Sequence, residues 1–424
     1  MRTRYPSKSS ARPPETLPEG RSLFAVRDFG IYLGATFFAS LAVQAQSVAV
    51  GWQVYKITRS PLALGYVGLM QFLPALILTL PSGTTADRYE RRTIMCVSSL
   101  LRMLTAAAFV ALSIVDVRVI WPFYATLAVF GSARAFAAPA ADSLLPALVE
   151  RGRFTEAVAW SSSSGQSAMV IGPALGGALY LLGPVPAYAV CGALFLLSAI
   201  GAAAIRTRSA EHFQSGVNRF ATLTAGVSYV RAHHIVLGAI SLDLFAVLLG
   251  GAVALLPIYA RDILHVGPAG LGIMRSAPAA GAVAIGLMLG RIPLRRNSGP
   301  VLFGCVALFG TATIVFGIST NFALSVAMLL TLGAADMVSV YIRRTLLQLA
   351  TPDTMRGRVS AVERLFVGAS NELGGFESGV TAQWFGTMPS VVIGGVGTLM
   401  VVATWWWFFP EIRGLDDLAE VKPI

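Results

Sequence analysis

Pro61-Leu62-Ala63-Leu64-Gly65 opens an apolar run that closes at Gly83-Thr84-Thr85-Ala86-Asp87-Arg88-Tyr89-Glu90-Arg91-Arg92, and the stretch is met twice. Moving on 207 residues without a gap, Pro61, Gly65, Gly83 and Arg88 return as Pro268, Gly272, Gly290 and Arg295. Arg151-Gly152-Arg153 likewise returns as Arg356-Gly357-Arg358. A long apolar chain built as two parallel halves is the plan of a membrane transporter whose site lies between them.

Composition fixes the solvent. Of the 424 residues 55% are hydrophobic and only 12% charged, with a mean hydropathy of +0.69. A water-soluble chain of this size needs far more charge to cover its surface, so this one lies in a lipid bilayer. The net charge of +11 is carried by arginine; Lys8, Lys56 and Lys422 are the lysines. Charge of that kind marks loops for one side of a membrane. Nucleic-acid binding would need an aromatic-laced basic face outside the bilayer, and no such face is present.

A helix needs about 20 apolar residues to cross the hydrocarbon core. Turn and charge punctuation yields twelve such runs, near 29–55, 62–84, 93–115, 119–146, 155–183, 185–205, 235–259, 268–290, 299–319, 322–348, 359–385 and 390–410. Residues 1–24 read as a disordered tail rather than a signal peptide. Residues 25–206 and 235–412 are then two six-helix bundles. They are joined by a linker at 207–234, in which 217–232 forms either a surface-lying amphipathic helix or a plain connection, and 413–424 is a second tail. The basic residues set the orientation. Fourteen arginines, from Arg88 and Arg91 to Arg356 and Arg358, fall in loops on one side, against Lys56, Arg59, Arg118 and Arg261 on the other. That places both termini in the cytoplasm of a bacterium, with the chain in its inner membrane.

The loop Gly83 to Arg92 closely resembles the signature loop of the major facilitator superfamily, G-x-x-x-D-R-x-G-R-[RK], with Glu90 where the second glycine would stand. Arg134 with Ala137 and Ala138 is similar to the superfamily's fourth-helix motif, whose Gln and Gly are both alanine here. Ala168-x-x-x-Gly172-Pro173-Ala174-Leu175-Gly176-Gly177 resembles the fifth-helix motif typical of proton-driven exporters, with Ala168 for its leading glycine. Ser47 through Tyr55 with Pro61 to Gly65, and Gly368-Ala369-Ser370-Asn371-Glu372-Leu373 through Glu377-Ser378-Gly379, look like the branch that includes the bacterial enterobactin exporter. The resemblance covers roughly residues 22–412. It implies an all-α fold of twelve transmembrane helices in two pseudo-symmetric bundles around a central cavity. Its implied mechanism is secondary active export of a siderophore, drug-like amphiphile or metabolite in exchange for protons.

The resemblance also assigns roles. Asp87, Arg88, Arg91 and Arg92 are expected to latch the two halves on the cytoplasmic side. Asp87 would meet the start of the eleventh span near Arg358–Ser360, because a helix N-terminus carries partial positive charge. Arg91 would pair with Asp142. Ionisable groups inside spans are costly and so face a cavity or a partner. Here they are Arg102, Arg134, Asp243, Arg275, Asp336, Glu372 and Glu377. Desolvation favours the neutral form of a carboxyl group, which makes Glu372, beside Asn371, the leading proton carrier and Asp336 the next, with Glu377 third. Buried ion pairs with Arg275 or Arg343 are the alternative for these acids. Arg134 is read as a proton relay or an anion contact, with a buried pair to Asp243 as its alternative. Gln44, Gln46, Tyr341 and Asn371 are candidate cavity contacts, although helical spacing keeps Gln44 and Gln46 off a common face. Gln71, Ser161 to Ser164 and Gln166 add polar groups at membrane depth. Gly172, Pro173, Gly176 and Gly177 form a close-packed, kinked hinge.

Other chemistries find no support in the chain. There is no G-x-x-x-x-G-K-[ST] loop for ATP. Cys96, Cys191 and Cys305 stand singly in apolar runs, and His212, His233, His234 and His265 lie in loops or at helix ends, so neither a metal, a cofactor nor a catalytic triad is expected. The expected partners are a small-molecule substrate, protons and lipid, around a working monomer. Two rival readings stand beside export: a proton-coupled uptake permease, and a membrane sensor or scaffold that does not transport.

Overall fold

The structure is a computed structural model that describes residues 23–207, 219–292 and 296–417; for Leu80, Ala86, Asp87 and 219–223 it describes the course of the backbone alone. Residues 1–22 of the tail, 208–218 of the linker, 293–295 with Arg295, and the residues after 417 lie outside the described part. Every described element is helical. The first six long helices are α1 (Arg27–Thr58), α2 (Pro61–Arg88), α3 (Arg91–Ile114), α4 (Trp121–Leu148), α5 (Phe154–Tyr180) and α6 (Pro184–Ala204). After α7 (Arg219–Ala232), the next span begins as α8 (His234–Leu249). It continues through a tight turn at Ala252–Leu255, the short α9 (Leu256–Ile258) and a wide π turn at Tyr259–Ile263. Then follow α10 (Gly267–Arg291), α11 (Ser298–Ile318), α12 (Phe322–Ala350), α13 (Asp353–Phe385) and α14 (Thr387–Phe408), with a last turn α15 (Pro410–Arg413).

Nine of these spans among the described residues are both long and apolar enough to cross a membrane. The other three, α4, α5 and α13, have 28, 27 and 33 residues, so they are long enough, with polar groups interrupting their apolar stretches. These interruptions are informative, because they include Arg134, the serine run and Glu372.

Packing repeats between the halves. In the first, α1 packs on α5 and α6, α2 on α4, and α3 on α4 and α6. In the second, α8 packs on α13 and α14, α10 on α12, and α11 on α12 and α14. Helix for helix this is the same arrangement. The halves meet along two symmetry-related seams, α2 with α13 and α10 with α5. The broken seventh span also has a local cause. A side chain at Gly251 would sit 2.3 Å from the carbonyl oxygen of Gly374, so α13 presses against the point where α8 unwinds.

Two expectations change. The eleventh span starts at Asp353, ahead of the 359 read from the apolar run, because its first turns are polar. The α7 segment does not present an apolar face to a bilayer surface. It docks on the second half, where Gly226 lies against the backbone of Arg358 and Val230 packs with Val236, Val359 and Val362.

Candidate functional site

The glycines of the repeated stretch form the seams. A Cβ on Gly379 would stand 3.0 Å from the Gly65 Cα and 3.0 Å from the Pro61 carbonyl oxygen. On the symmetric seam, a Cβ on Gly177 would stand 2.4 Å from the Pro268 carbonyl oxygen and 3.0 Å from the Gly272 Cα. Backbone meets backbone at both places, which side chains larger than hydrogen do not permit. Around them, Ser60 Oγ donates to Gln383 Oε1 at 3.0 Å, Tyr66 packs on Phe376, and the Tyr55 hydroxyl donates to Asp262, which also faces Arg59 at 3.4 Å. All of these contacts lie at the end opposite the chain termini. Further along the same seam helices, toward the terminal end, Gly165 and Gly290 face open space. The close backbone contacts across the seams thus gather at the end opposite the termini.

Just beyond these contacts, charged groups from both halves converge. Arg134 on α4 is exposed, while Arg275 on α10 and Glu372 on α13 are half-buried. Glu372 is within electrostatic reach of both arginines, and its carboxylate lies against Gly68 on α2, 2.7 Å from where a Cβ there would stand. None of the three has an ion-pair partner within 4.0 Å among the described residues. Arg102, on α3, is within reach of Arg134 but is buried; it donates to the Ser98 carbonyl and Ser99 and lies over the Phe195 ring.

A second group lies wholly inside the second half. Asp243 on α8 is ion-paired with Arg343 on α12. Arg343 also faces Glu363 on α13 at 3.8 Å, and Glu363 faces Arg344 at 3.7 Å. Asp336 shares a small pocket with Asp243, Cys305, Phe309 and Ser339, and forms no ion pair within 4.0 Å among the described residues. Arg134 is thus not the partner of Asp243, and neither Glu372 nor Asp336 is closely paired with Arg275 or Arg343. Glu363 escaped the sequence reading. It lies in the third turn of α13 and is buried.

The remaining candidates scatter. Gln44 is half-buried against Gly172, and Gln46 is buried with its Oε1 unpartnered. Asn371 is exposed and donates to its own helix at the Val367 carbonyl. Tyr341 packs into the core between α8, α11 and α14, away from the arginines. Glu377 accepts from Thr381 Oγ1 at 2.7 Å, near the closed seam. Gly172 and Gly176 press on α1, where a Cβ on Gly176 would lie 2.3 Å from the Ala45 carbonyl oxygen; Gly177, beside Pro173, faces α10 instead. In the signature loop, Gly83 is buried and Arg88 exposed. Arg91 donates to the Ser143 carbonyl at 2.7 Å instead of pairing with Asp142, which has Arg364 of the other half within electrostatic reach. Arg92 donates to the Ile205 carbonyl and pairs with Glu90 at 2.7 Å. Since α13 begins at Asp353, its N-terminal N–H groups precede Arg358–Ser360, the segment proposed to receive Asp87.

Two helical bundles related by internal repetition, with charged groups between them and close contacts gathered at one end, define a transporter of the major facilitator type. The chain belongs to the transmembrane secretion effector family, whose model matches residues 22–420. It is 25% identical over 367 residues to an uncharacterised MFS-type transporter, YfiS, of Bacillus subtilis (strain 168), covering 82% of this chain and 84% of that one. It is 24% identical over 421 residues to the enterobactin exporter EntS of Citrobacter koseri, covering 94% of each. Among solved structures, an inward-facing, occupied bacterial homologue of the human lysosomal transporter Spinster superposes with a TM-score of 0.72 at 13% identity, over 93% of this chain and 100% of that one. A peptide transporter POT in complex with sulfate also gives 0.72 at 13% identity, over 96% and 98%. At such identity these two structures speak for the fold.

Proposed function

We propose that the protein exports a small organic molecule from the bacterial cytoplasm across the inner membrane, in exchange for protons, by rocking its halves about the central charged site. The convergence of Arg134, Arg275 and Glu372 from three helices of both halves, just beyond the close seam contacts, carries this reading. A ligand held there touches both bundles and so biases their relative position. Membership of a secretion family and full-length similarity to an exporter support the outward direction. The arginine distribution supports termini on the cytoplasmic side, from which the substrate would load. The protein works as a monomer, and siderophores, drug-like amphiphiles and metabolites are the substrate classes to screen.

Within the buried group of the second half, Asp336 is the acid suited to a proton role, and it stands beside Glu372, which likewise has no arginine within 4.0 Å among the described residues. Asp243 and Glu363 each have an arginine within 4.0 Å, whereas Asp336, in the same group, has none. An acid without a close counter-charge is the member that gains most from binding a proton. The test is substrate-induced collapse of a respiration-driven pH gradient in inside-out vesicles, with wild type, Asp336→Asn and Glu372→Gln run together. A response in wild type that Asp336→Asn lacks supports proton exchange through Asp336. A response lost only in Glu372→Gln returns the proton to the central site. Silence in the wild type across siderophores, dyes and antibiotics, with folded protein present, removes the export reading.

A further inference from the structure

The charges in the central cavity do not balance. Glu372 is within electrostatic reach of Arg134 of the first half and of Arg275 of the second, and Arg102, within reach of Arg134, adds a third positive charge. Among the described residues three cations stand against one anion here, yet no ion pair within 4.0 Å joins Glu372 to either arginine. Arg102 is spoken for by its own helix and by the Phe195 ring. Arg134 is not: it is exposed, on α4, one of the three helices whose apolar stretches polar groups interrupt. An arginine held at membrane depth without a partner is costly unless something supplies the counter-charge, and guanidinium groups favour planar oxyanions that accept two hydrogen bonds.

Taking the transport reading as its basis, we propose that the central site binds an organic anion, a small molecule bearing a carboxylate, sulfonate or phosphate, between Arg134 of the first half and Arg275 of the second. Glu372 is the resident counter-ion that the ligand displaces. Gly68 is part of the device. Its lack of a side chain lets the Glu372 carboxylate lie against α2, within reach of both arginines. Because the ligand bridges residues of both halves, its charge is felt by the rocking equilibrium itself.

The potential of the cavity can be read without knowing the substrate. Ala138 is exposed on α4, one helical turn from Arg134 on the same face. A lone cysteine is placed there by Ala138→Cys, with Cys96→Ser, Cys191→Ala and Cys305→Ala, and the protein is set in phosphatidylcholine nanodiscs. Its modification rates by anionic sulfonatoethyl methanethiosulfonate and cationic trimethylammonioethyl methanethiosulfonate are compared, each relative to free cysteine. The expected result is an advantage of about tenfold or more for the anionic reagent, the low end of what focused charge does to local concentration. Arg134→Gln and Arg275→Gln should each reduce the ratio, Arg134→Lys should restore it, and Glu372→Gln should raise it. Faster cationic modification, or a ratio indifferent to both arginines, would overturn the proposal. So would loss of the anionic advantage when phosphatidylglycerol is added, which would assign the arginines to lipid headgroups. The readout needs no transport, so a carrier of cations would keep the export reading and lose only the anion site.

Discussion

At the scale of the residue, the buried groups of the second half show why a midspan charge is tolerated. Arg343 lies 3% exposed between Asp243 and Glu363, so three helices share one cation. Removing it strands Asp243 in a low-dielectric interior and leaves Glu363 with the exposed Arg344 alone. Arg343→Met is expected to destabilise the protein by about 3–5 kcal/mol, seen as a lowered Tm in detergent, with partial recovery on adding Asp243→Asn. A Tm unchanged from wild type would mean that the acids are neutral already. Asp336 makes the opposite case: Asp336→Asn leaves that pairing whole, so folding and substrate binding should persist while exchange with protons stops. These partnerships were only partly legible in the sequence. That Asp243 and Asp336 needed partners or a cavity followed from hydropathy alone, with Arg343 named as one possible partner; which acid met which arginine did not, because helices far apart in the chain supply them. Arg91 illustrates the same limit, since its guanidinium found a carbonyl of Ser143 next to the acid expected to receive it.

At the scale of the element, the spans were readable because the thickness of the hydrocarbon core and the placement of arginine loops leave few choices. Eleven of the twelve expected spans start within two residues of where the helices begin or three at the last, and the exception, α13, fails because Asp353 to Arg358 hides its first turns behind charge. The glycine pattern was legible as repetition but not as purpose. Gly176 and Gly177 are neighbours on α5, yet one faces α1 of its own bundle and the other faces α10 across the seam. They should fail differently. Gly176→Val drives a side chain into the α1 backbone and should cost folded protein, measured as monodisperse yield after solubilisation. Gly177→Val leaves the bundle intact and should abolish transport in the vesicle assay at near-normal yield. Equal loss of yield in both would mean that the seam is needed for folding as much as α1–α5 packing is.

At the scale of the whole molecule, the opening stretch acquires its reason: at Pro61 to Gly65 and Pro268 to Gly272 the backbones of α2 and α10 come against the opposite half, and chain duplication makes the two seams alike. A body hinged on two equivalent seams can rock only if release at one end accompanies closure at the other. Paired spin labels test this directly. Lys56→Cys with His265→Cys reports the end of the close contacts, and Thr155→Cys with Arg291→Cys, on α5 and α10, reports the opposite end; all four positions are exposed. In a background carrying Gly177→Val, the first distance should lengthen and the second shorten, because a side chain at position 177 separates α5 from Pro268 while the bundles stay rigid. An impermeant thiol reagent applied to intact cells should reach the cysteine at position 56 but not that at 291, as the arginine distribution requires. If instead both distances lengthen, the halves have merely loosened. The seam would then be a fastening, and the central arginines would have no rocking equilibrium on which a bound ligand could act.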